Sequence, residues 1–254
     1  MKVISAECLR RMPGFTLVEL MVVLAIIGIL AALLLPVLSA TKARAHTAGC
    51  LNNLRQLSLG WKMYADDNNG TLTINLPQPS VQTAWVVGEI TPATTNSAVI
   101  RQGLLFPYVV NPAVYHCPAD TMLWNGAPGV LSYSMNGWMG SRTMNQEDAN
   151  GVGGPYRTFV REAEIAVIGA TSRLWVLVDE DPSTLNDGWF LVTMNDAQPF
   201  ASFPGIRHQR GAGMNFADGH TLIFRLHSPE SVPGVQISPA DPDWLLFKQM
   251  TTEP

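Results

Sequence analysis

The sequence predicts an α+β protein in which one long N-terminal helix packs on a mainly antiparallel β-sheet. Three observations predict it. Residues 15–38 run for 24 positions with Glu19 as the single ionisable side chain. Residues 39–65 keep a helical period, with Leu54, Leu57, Trp61 and Tyr64 on one stripe and Asn53, Arg55 and Lys62 off it. After Gly70 come short β-prone runs separated by Gly, Pro and Asn, without regular helices between them, which favours an antiparallel sheet laid on the helix.

Composition narrows the function classes. The 254 residues are 47% apolar and 14% charged with a net charge of −4, which argues against a disordered tail and against a general polyanion binder, so no nucleic-acid partner is expected. The first 24-residue run excludes a wholly soluble cytosolic protein. As a helix it reaches about 36 Å at roughly 1.5 Å per residue, against a bilayer core of about 30 Å. Pro36 lies inside this run, where it removes a backbone hydrogen bond and crowds the preceding turn, so a kink or local loosening is expected there, with a tolerated membrane-helix proline as the alternative. The helix is expected to end at the turn-rich Asp66-Asp67-Asn68-Asn69-Gly70.

Eight runs are strand candidates: 71–76, 84–90, 113–117, 131–135, 174–178, 189–193, 213–217 and 221–226. Asp218-Gly219 falls between the last two and signals a hairpin turn, with positive φ at Gly219. Residues 125–155 read as loop. A terminal helix is expected over 242–250, capped by Asp241, with Trp244, Leu245 and Phe247 as its apolar side.

The first 14 residues carry Lys2, Arg10 and Arg11 against Glu7 and resemble the basic start of a secretory signal, but the apolar run is too long and lacks a small-x-small cleavage site. The run Gly14-Phe15-Thr16-Leu17-Val18-Glu19-Leu20, continued by MVVLAIIGILAALLLPVLS, resembles the processing site of type IV prepilins and type II secretion pseudopilins. That resemblance implies cleavage after Gly14 by a prepilin peptidase and N-methylation of Phe15. It places residues 1–14 in the cytoplasm and the rest, beyond a single inner-membrane span at 15–38, in the periplasm or an equivalent compartment. The division is then a leader (1–14), an N-terminal helix (15–69, amphipathic over 39–65) and a β-rich domain (70–254). The partners implied are prepilin peptidase, other pilin-like subunits in a homo- or hetero-filament, and inner-membrane assembly machinery.

A carboxylate deep in hydrocarbon costs about 2.5–3.5 kcal/mol even on lenient insertion scales. In the pilin-like reading Glu19 pairs with the amino group of Phe15 on its own or an adjacent subunit, and Pro36 marks where the helix loosens on assembly. The alternative puts Glu19 in the headgroup zone, tolerating exposure. Further patches, CLNNLRQLSLGWKMYADDNNG at 50–70, YHCPAD at 115–120, SYSMN at 132–136, VDE at 178–180 and His208-x9-Asp218-Gly219, resemble a group of pilin-like proteins with their own C-terminal domain, often named as secretion-system G-like. The group brings no assigned chemistry with it.

Leader removal would take Cys8 and leave Cys50 and Cys117. A Cys50–Cys117 disulfide would close a loop of about 66 residues, worth roughly 4 kcal/mol in the chain-entropy model; two free buried thiols are the other reading. Zinc is disfavoured by the lack of a Cys-x-x-Cys pair and the poor spacing of His116-Cys117. No cofactor is required. Asp179, Glu180, Asp181 and Asp187 form an oxygen-rich patch of the kind Ca²⁺ needs, and major pseudopilins of type II secretion bind calcium in a C-terminal loop; a solvated acidic turn is the alternative. His208 and His220 are expected to flank the Asp218-Gly219 hairpin and hydrogen-bond to its backbone, with a functional site or ion contact formed by His208, Asp218 and His220 as the alternative. No Gly-x-Ser-x-Gly, phosphate loop or His-Glu-x-x-His occurs, so no enzyme is expected, a hydrolase built on His208 and Asp218 being the remote exception. Among the seven tryptophans, Trp124 and Trp138 are the candidates for an exposed glycan surface. The reading is a pilin-like structural subunit assembled through its N-terminal helix, against a membrane-tethered module that binds glycans or surface polymers without polymerising.

Overall fold

A computed structural model describes residues 16–77, 84–90, 94–124, 126–141, 156–195 and 199–254. Gly14 and Phe15 lie outside these residues, as does most of the Gly- and Asn-rich stretch after Ser141.

Helix α1 spans Leu17–Asp67 and stays helical through Pro36. It belongs to two compact units, residues 1–44 and 45–254. In the first unit, Leu17, Val18, Leu30, Leu33, Leu34, Leu35 and Leu38 are all more than half exposed, so the segment presents apolar side chains around its whole circumference. None of its most apolar stretch is buried. An apolar surface of this extent exceeds what monomers leave in water and marks a membrane or protein-contact surface.

In the second unit, α1 buries Cys50, Leu54, Leu57, Trp61 and Ala65, at intervals of three and four residues. Ala65 takes the inner position expected of Tyr64, which is half-buried and meets Tyr108 edge-on with centroids 6.0 Å apart. The chain then forms short helices α2 (Ala98–Arg101) and α3 (Phe106–Val109), a 3₁₀ turn at Pro112–Tyr115, the two-residue pair β1 (Leu123–Trp124) and β2 (Ala127–Pro128), β3 (Tyr133–Asn136), α4 (Glu162–Val167), β4 (Trp175–Asp179), β5 (Trp189–Phe190), β6 (Gly211–Phe216), β7 (Thr221–Arg225) and α5 (Pro242–Gln249).

The five-stranded sheet has the order β5-β3-β4-β6-β7. All its pairings are antiparallel except β3 with β5. One core joins the inner face of α1 to Tyr133, Met135, Val176 and Leu177; a second joins Trp175, Val178, Ala212, Met214 and Phe216 to Trp244 and Phe247 of α5. The sheet is therefore covered on both faces, and β3, β4 and β6 are buried at every position. In β6, Gly213 leaves room on the α1 side: a Cβ there would sit 2.8 Å from both Cys50 Sγ and Leu54 Cδ1. Glycine here buys close approach of helix to strand at the expense of strand propensity.

Three of the strand candidates take other forms. Residues 84–90 are buried but irregular, because their amides are satisfied by three separate segments: Trp85 N–H donates to Ile74 O (3.0 Å), Val87 N–H to Val99 O (3.0 Å) and Ile90 N–H to Asn186 O (2.8 Å). Residues 112–115 wind into a 3₁₀ turn because Pro112 starts it and Asn111 accepts from Ala113 N–H at 3.0 Å. Residues 71–76 contribute one isolated bridge, Thr71 to Arg161.

The terminal helix forms as expected, with Asp241 accepting from the amides of Asp243 (2.9 Å) and Trp244 (3.1 Å). Its inner face is Trp244 and Phe247, three residues apart, while Leu245 turns outward and is 38% exposed. The β6–β7 hairpin turns at Asp218-Gly219 with φ of +95° at Gly219.

Candidate functional site

Two places concentrate chemistry, one in each unit. The first is the start of α1. Thr16 precedes the helix, and Glu19 stands at its third position. Thr16 donates to Glu19 Oε2 from its amide (2.9 Å) and its hydroxyl (2.7 Å), while Glu19 N–H donates to Thr16 Oγ1 (3.2 Å). This is a capping box, in which the hydroxyl and carboxylate satisfy amides at the helix end. The Thr-x-x-Glu spacing was legible in the sequence, yet Thr16 was not among the residues expected to act. Glu19 is exposed in the isolated chain. Its pairing with Phe15 lies outside the described residues.

The second place is a buried cluster in residues 45–254. Cys50 comes from α1, Cys117 from the turn after the 3₁₀ segment, Asp179 from the end of β4 and His208 from the loop before β6. One ligand atom from each lies within 4.8 Å of the others, and all four residues are buried. Both thiols are free. Cys117 Sγ is 3.4 Å from His208 Nε2, which is 3.6 Å from Asp179 Oδ2. The opposite ring nitrogen of His208, Nδ1, meets Thr47 Oγ1 at 3.1 Å. Tyr133 donates its hydroxyl to Cys50 Sγ at 3.4 Å.

An ion network flanks the cluster. Arg207 donates to Asp179 Oδ1, to Glu180 O (2.8 Å) and to Asp120 Oδ2 (3.0 Å), and Asp120 Oδ2 also accepts from Ser132 Oγ (2.8 Å). Asp179 Oδ2 faces the thiols with no hydrogen-bond partner. Burial pushes the Asp179 carboxyl well above the usual carboxylate range, with Arg207 pulling it down. The two buried thiols act on one another, which pushes Cys50 up and Cys117 down, and His208 lowers Cys117 further. Gly205 lies against the carboxylate, where a Cβ would come within 2.9 Å of Asp179 Oδ2.

The expected groupings sort differently. His208 turns into the cluster and not towards the hairpin. Asp218 instead pairs with His220, Oδ1 to Nδ1 at 2.6 Å, and His220 stacks on Phe216 with centroids 4.2 Å apart. The acidic patch divides its tasks: Asp179 meets Arg207, Glu180 accepts from Thr184 Oγ1 (2.9 Å), Asp181 accepts from Ser183 N–H (2.9 Å) and Oγ (2.6 Å), and Asp187 accepts from Trp189 N–H (2.9 Å). Burial raises the Glu180 carboxyl to about 8. Trp138 is buried, its indole N–H donating to Val192 O at 3.0 Å, so it offers no glycan surface; the side chain of Trp124 lies outside the described set. Arg207, Thr47 and Tyr133 were missed. The polar run Arg207-His208-Gln209-Arg210 between apolar and Gly-rich segments was the available signal.

Residues 9–35 match the family model for the prokaryotic N-terminal methylation motif. The chain is similar to type II secretion system core protein G of Aeromonas hydrophila, 43% identical over 60 residues, which is 24% of this chain and 42% of that protein. It is also similar to the type IV wide pilus major component PilA4 of Thermus thermophilus, 44% identical over 61 residues, or 24% of this chain and 47% of that one. Core protein G of Pectobacterium carotovorum subsp. carotovorum is 41% identical over 59 residues, 23% of this chain and 38% of that protein. The chain thus spans less than half the length of these curated relatives. No solved structure matches it. The chain thus has a prokaryotic N-terminal methylation motif leading into an apolar helix, and over about a quarter of its length it is similar to secretion core proteins and to a pilus component.

Proposed function

We propose that the chain is a pilin-like structural subunit of a type II secretion or type IV pilus-like filament, assembled through α1. It is cleaved after Gly14 by a prepilin peptidase and methylated on Phe15. Before assembly it waits as a single-pass inner-membrane precursor, with residues 1–14 cytoplasmic and the β-rich domain outside. The observation that carries this reading is the apolar cylinder at the start of α1, exposed on all sides and interrupted by a single carboxylate at its N-terminal end.

A plain anchor has no use for that carboxylate, which is costly in hydrocarbon unless partnered. Cleavage after Gly14 would create an amino group on Phe15, four residues from Glu19 in sequence. Within one helix Thr16 already occupies Glu19 Oε2. The amino group of a neighbouring subunit is then the charged partner that neutralises the carboxylate, and this sets the axial register between helices. The relatives point the same way, since the ones matched are a secretion core protein and a pilus component.

Intact-mass measurement of the protein purified from membranes tests the processing step. The expected mass is that of residues 15–254 plus one methyl group, with the methyl located on Phe15 by fragmentation. A protein that keeps residues 1–14 in cells containing an active prepilin peptidase overturns the reading.

A further inference from the structure

We propose that Cys50, Cys117, Asp179 and His208 form a structural zinc site that fastens α1 to the sheet. Sequence spacing argued against zinc, but spacing tests for ligands on one local loop. Here each ligand comes from a different segment.

The geometry fits. A tetrahedral zinc with bonds of about 2.3 Å to sulfur and about 2.0–2.1 Å to nitrogen and oxygen has ligand-to-ligand edges of roughly 3.3–3.8 Å. The Cys117 Sγ to His208 Nε2 edge is 3.4 Å and the His208 Nε2 to Asp179 Oδ2 edge is 3.6 Å. Two sulfurs, an imidazole and a carboxylate suit zinc better than the all-oxygen ions calcium and magnesium.

Outer contacts orient three of the four ligands as metal sites require. Thr47 Oγ1 meets His208 Nδ1 and so turns Nε2 inward. Arg207 occupies Asp179 Oδ1, leaving Oδ2 buried, without a hydrogen-bond partner and within 4.8 Å of both sulfurs. Tyr133 donates to Cys50 Sγ. Charge also balances. Two thiolates and one carboxylate around a divalent cation leave one negative charge, which the Arg207 guanidinium beside Asp179 offsets. Binding the cation releases to solvent whatever protons the cysteine and aspartate ligands still carry.

All four ligands are buried, so no position is left open for substrate and the role is structural. The site joins α1 to the Cys117 turn, to the end of β4 and to the loop that leads into β6. A Cys50–Cys117 disulfide is the competing fate of the same sulfurs. It would satisfy neither Asp179 Oδ2 nor His208 Nε2.

The test uses the full chain purified in detergent without chelator. Elemental analysis is expected to give about one zinc per chain. Replacement of zinc by Co²⁺ is expected to produce visible bands of a tetrahedral ion and a near-ultraviolet thiolate-to-cobalt charge-transfer band. Chelation after mild unfolding is expected to lower the thermal midpoint, with recovery on adding Zn²⁺. Asp179→Asn keeps the side-chain shape and is expected to lose the bound metal and the recovery. A chain that carries no metal, whether its thiols are free or joined as a disulfide in peptide mapping, overturns the proposal. So does cobalt binding without the charge-transfer band.

Discussion

Glu19→Ala is expected to leave processing after Gly14 intact and to abolish incorporation of the subunit into filaments. The carboxylate sits at the third helical position, held by Thr16, at the N-terminal end of the exposed apolar segment of α1. On assembly it would lose water and keep only what partners it finds. A hydrogen bond to a charged group contributes about 1.5–3 kcal/mol, so losing it weakens each helix–helix contact roughly 10–100-fold. Repeated along a filament, that suffices to prevent growth. The variant also loses the carboxylate half of the capping box, which accepts from Thr16, while the Thr16 hydroxyl still accepts from the amide of residue 19. Thr16→Val separates the two effects, since it removes the capping hydroxyl and keeps the charge. Shearing filaments from cells and quantifying the subunit should show near-normal incorporation for Thr16→Val and none for Glu19→Ala. Equal loss in both would assign the effect to the cap. Normal surface display and function of Glu19→Ala would favour a tethered binding module.

The second large effect lies in the domain. Trp61 is fully buried on α1 within the core that joins the helix to β3 and β4. Trp61→Ala removes its contacts and leaves a cavity, at a cost of about 3–5 kcal/mol, a large share of the roughly 5–15 kcal/mol by which domains are stable. Urea denaturation of the full chain in detergent, followed by circular dichroism, should show a lower midpoint with an unchanged slope. Met63, two residues along the same helix, is 51% exposed, and Met63→Ala should shift stability by no more than about 0.5 kcal/mol. Equal effects of the two would contradict the assigned helix face.

Much of this architecture was legible because it is local. The helical stripe of Leu54, Leu57 and Trp61, the Asp241 cap and the Asp218-Gly219 turn each depend on neighbours a few residues away. Residues 84–90 were not legible, because their amides find partners in three remote segments and a β-prone run alone does not show that. The motif His208-x9-Asp218-Gly219 was visible as a unit, yet its parts separate: His208 reaches Cys117 and Thr47, while Asp218 closes a turn against His220. The cluster around Asp179 was invisible for the same reason. Cys50 and His208 are brought together by the packing of α1 against Gly213, a contact that no window of sequence contains.

The most direct test of assembly through the helix is photocrosslinking in native membranes, with a photoreactive residue placed at Leu24 or Leu33, both exposed on the apolar segment. The expected result is a ladder of adducts at multiples of the subunit mass or at the masses of other pilin-like subunits, lost when Glu19→Ala is introduced. A chain that crosslinks only to lipid and stays monomeric from both positions would contradict assembly through this helix.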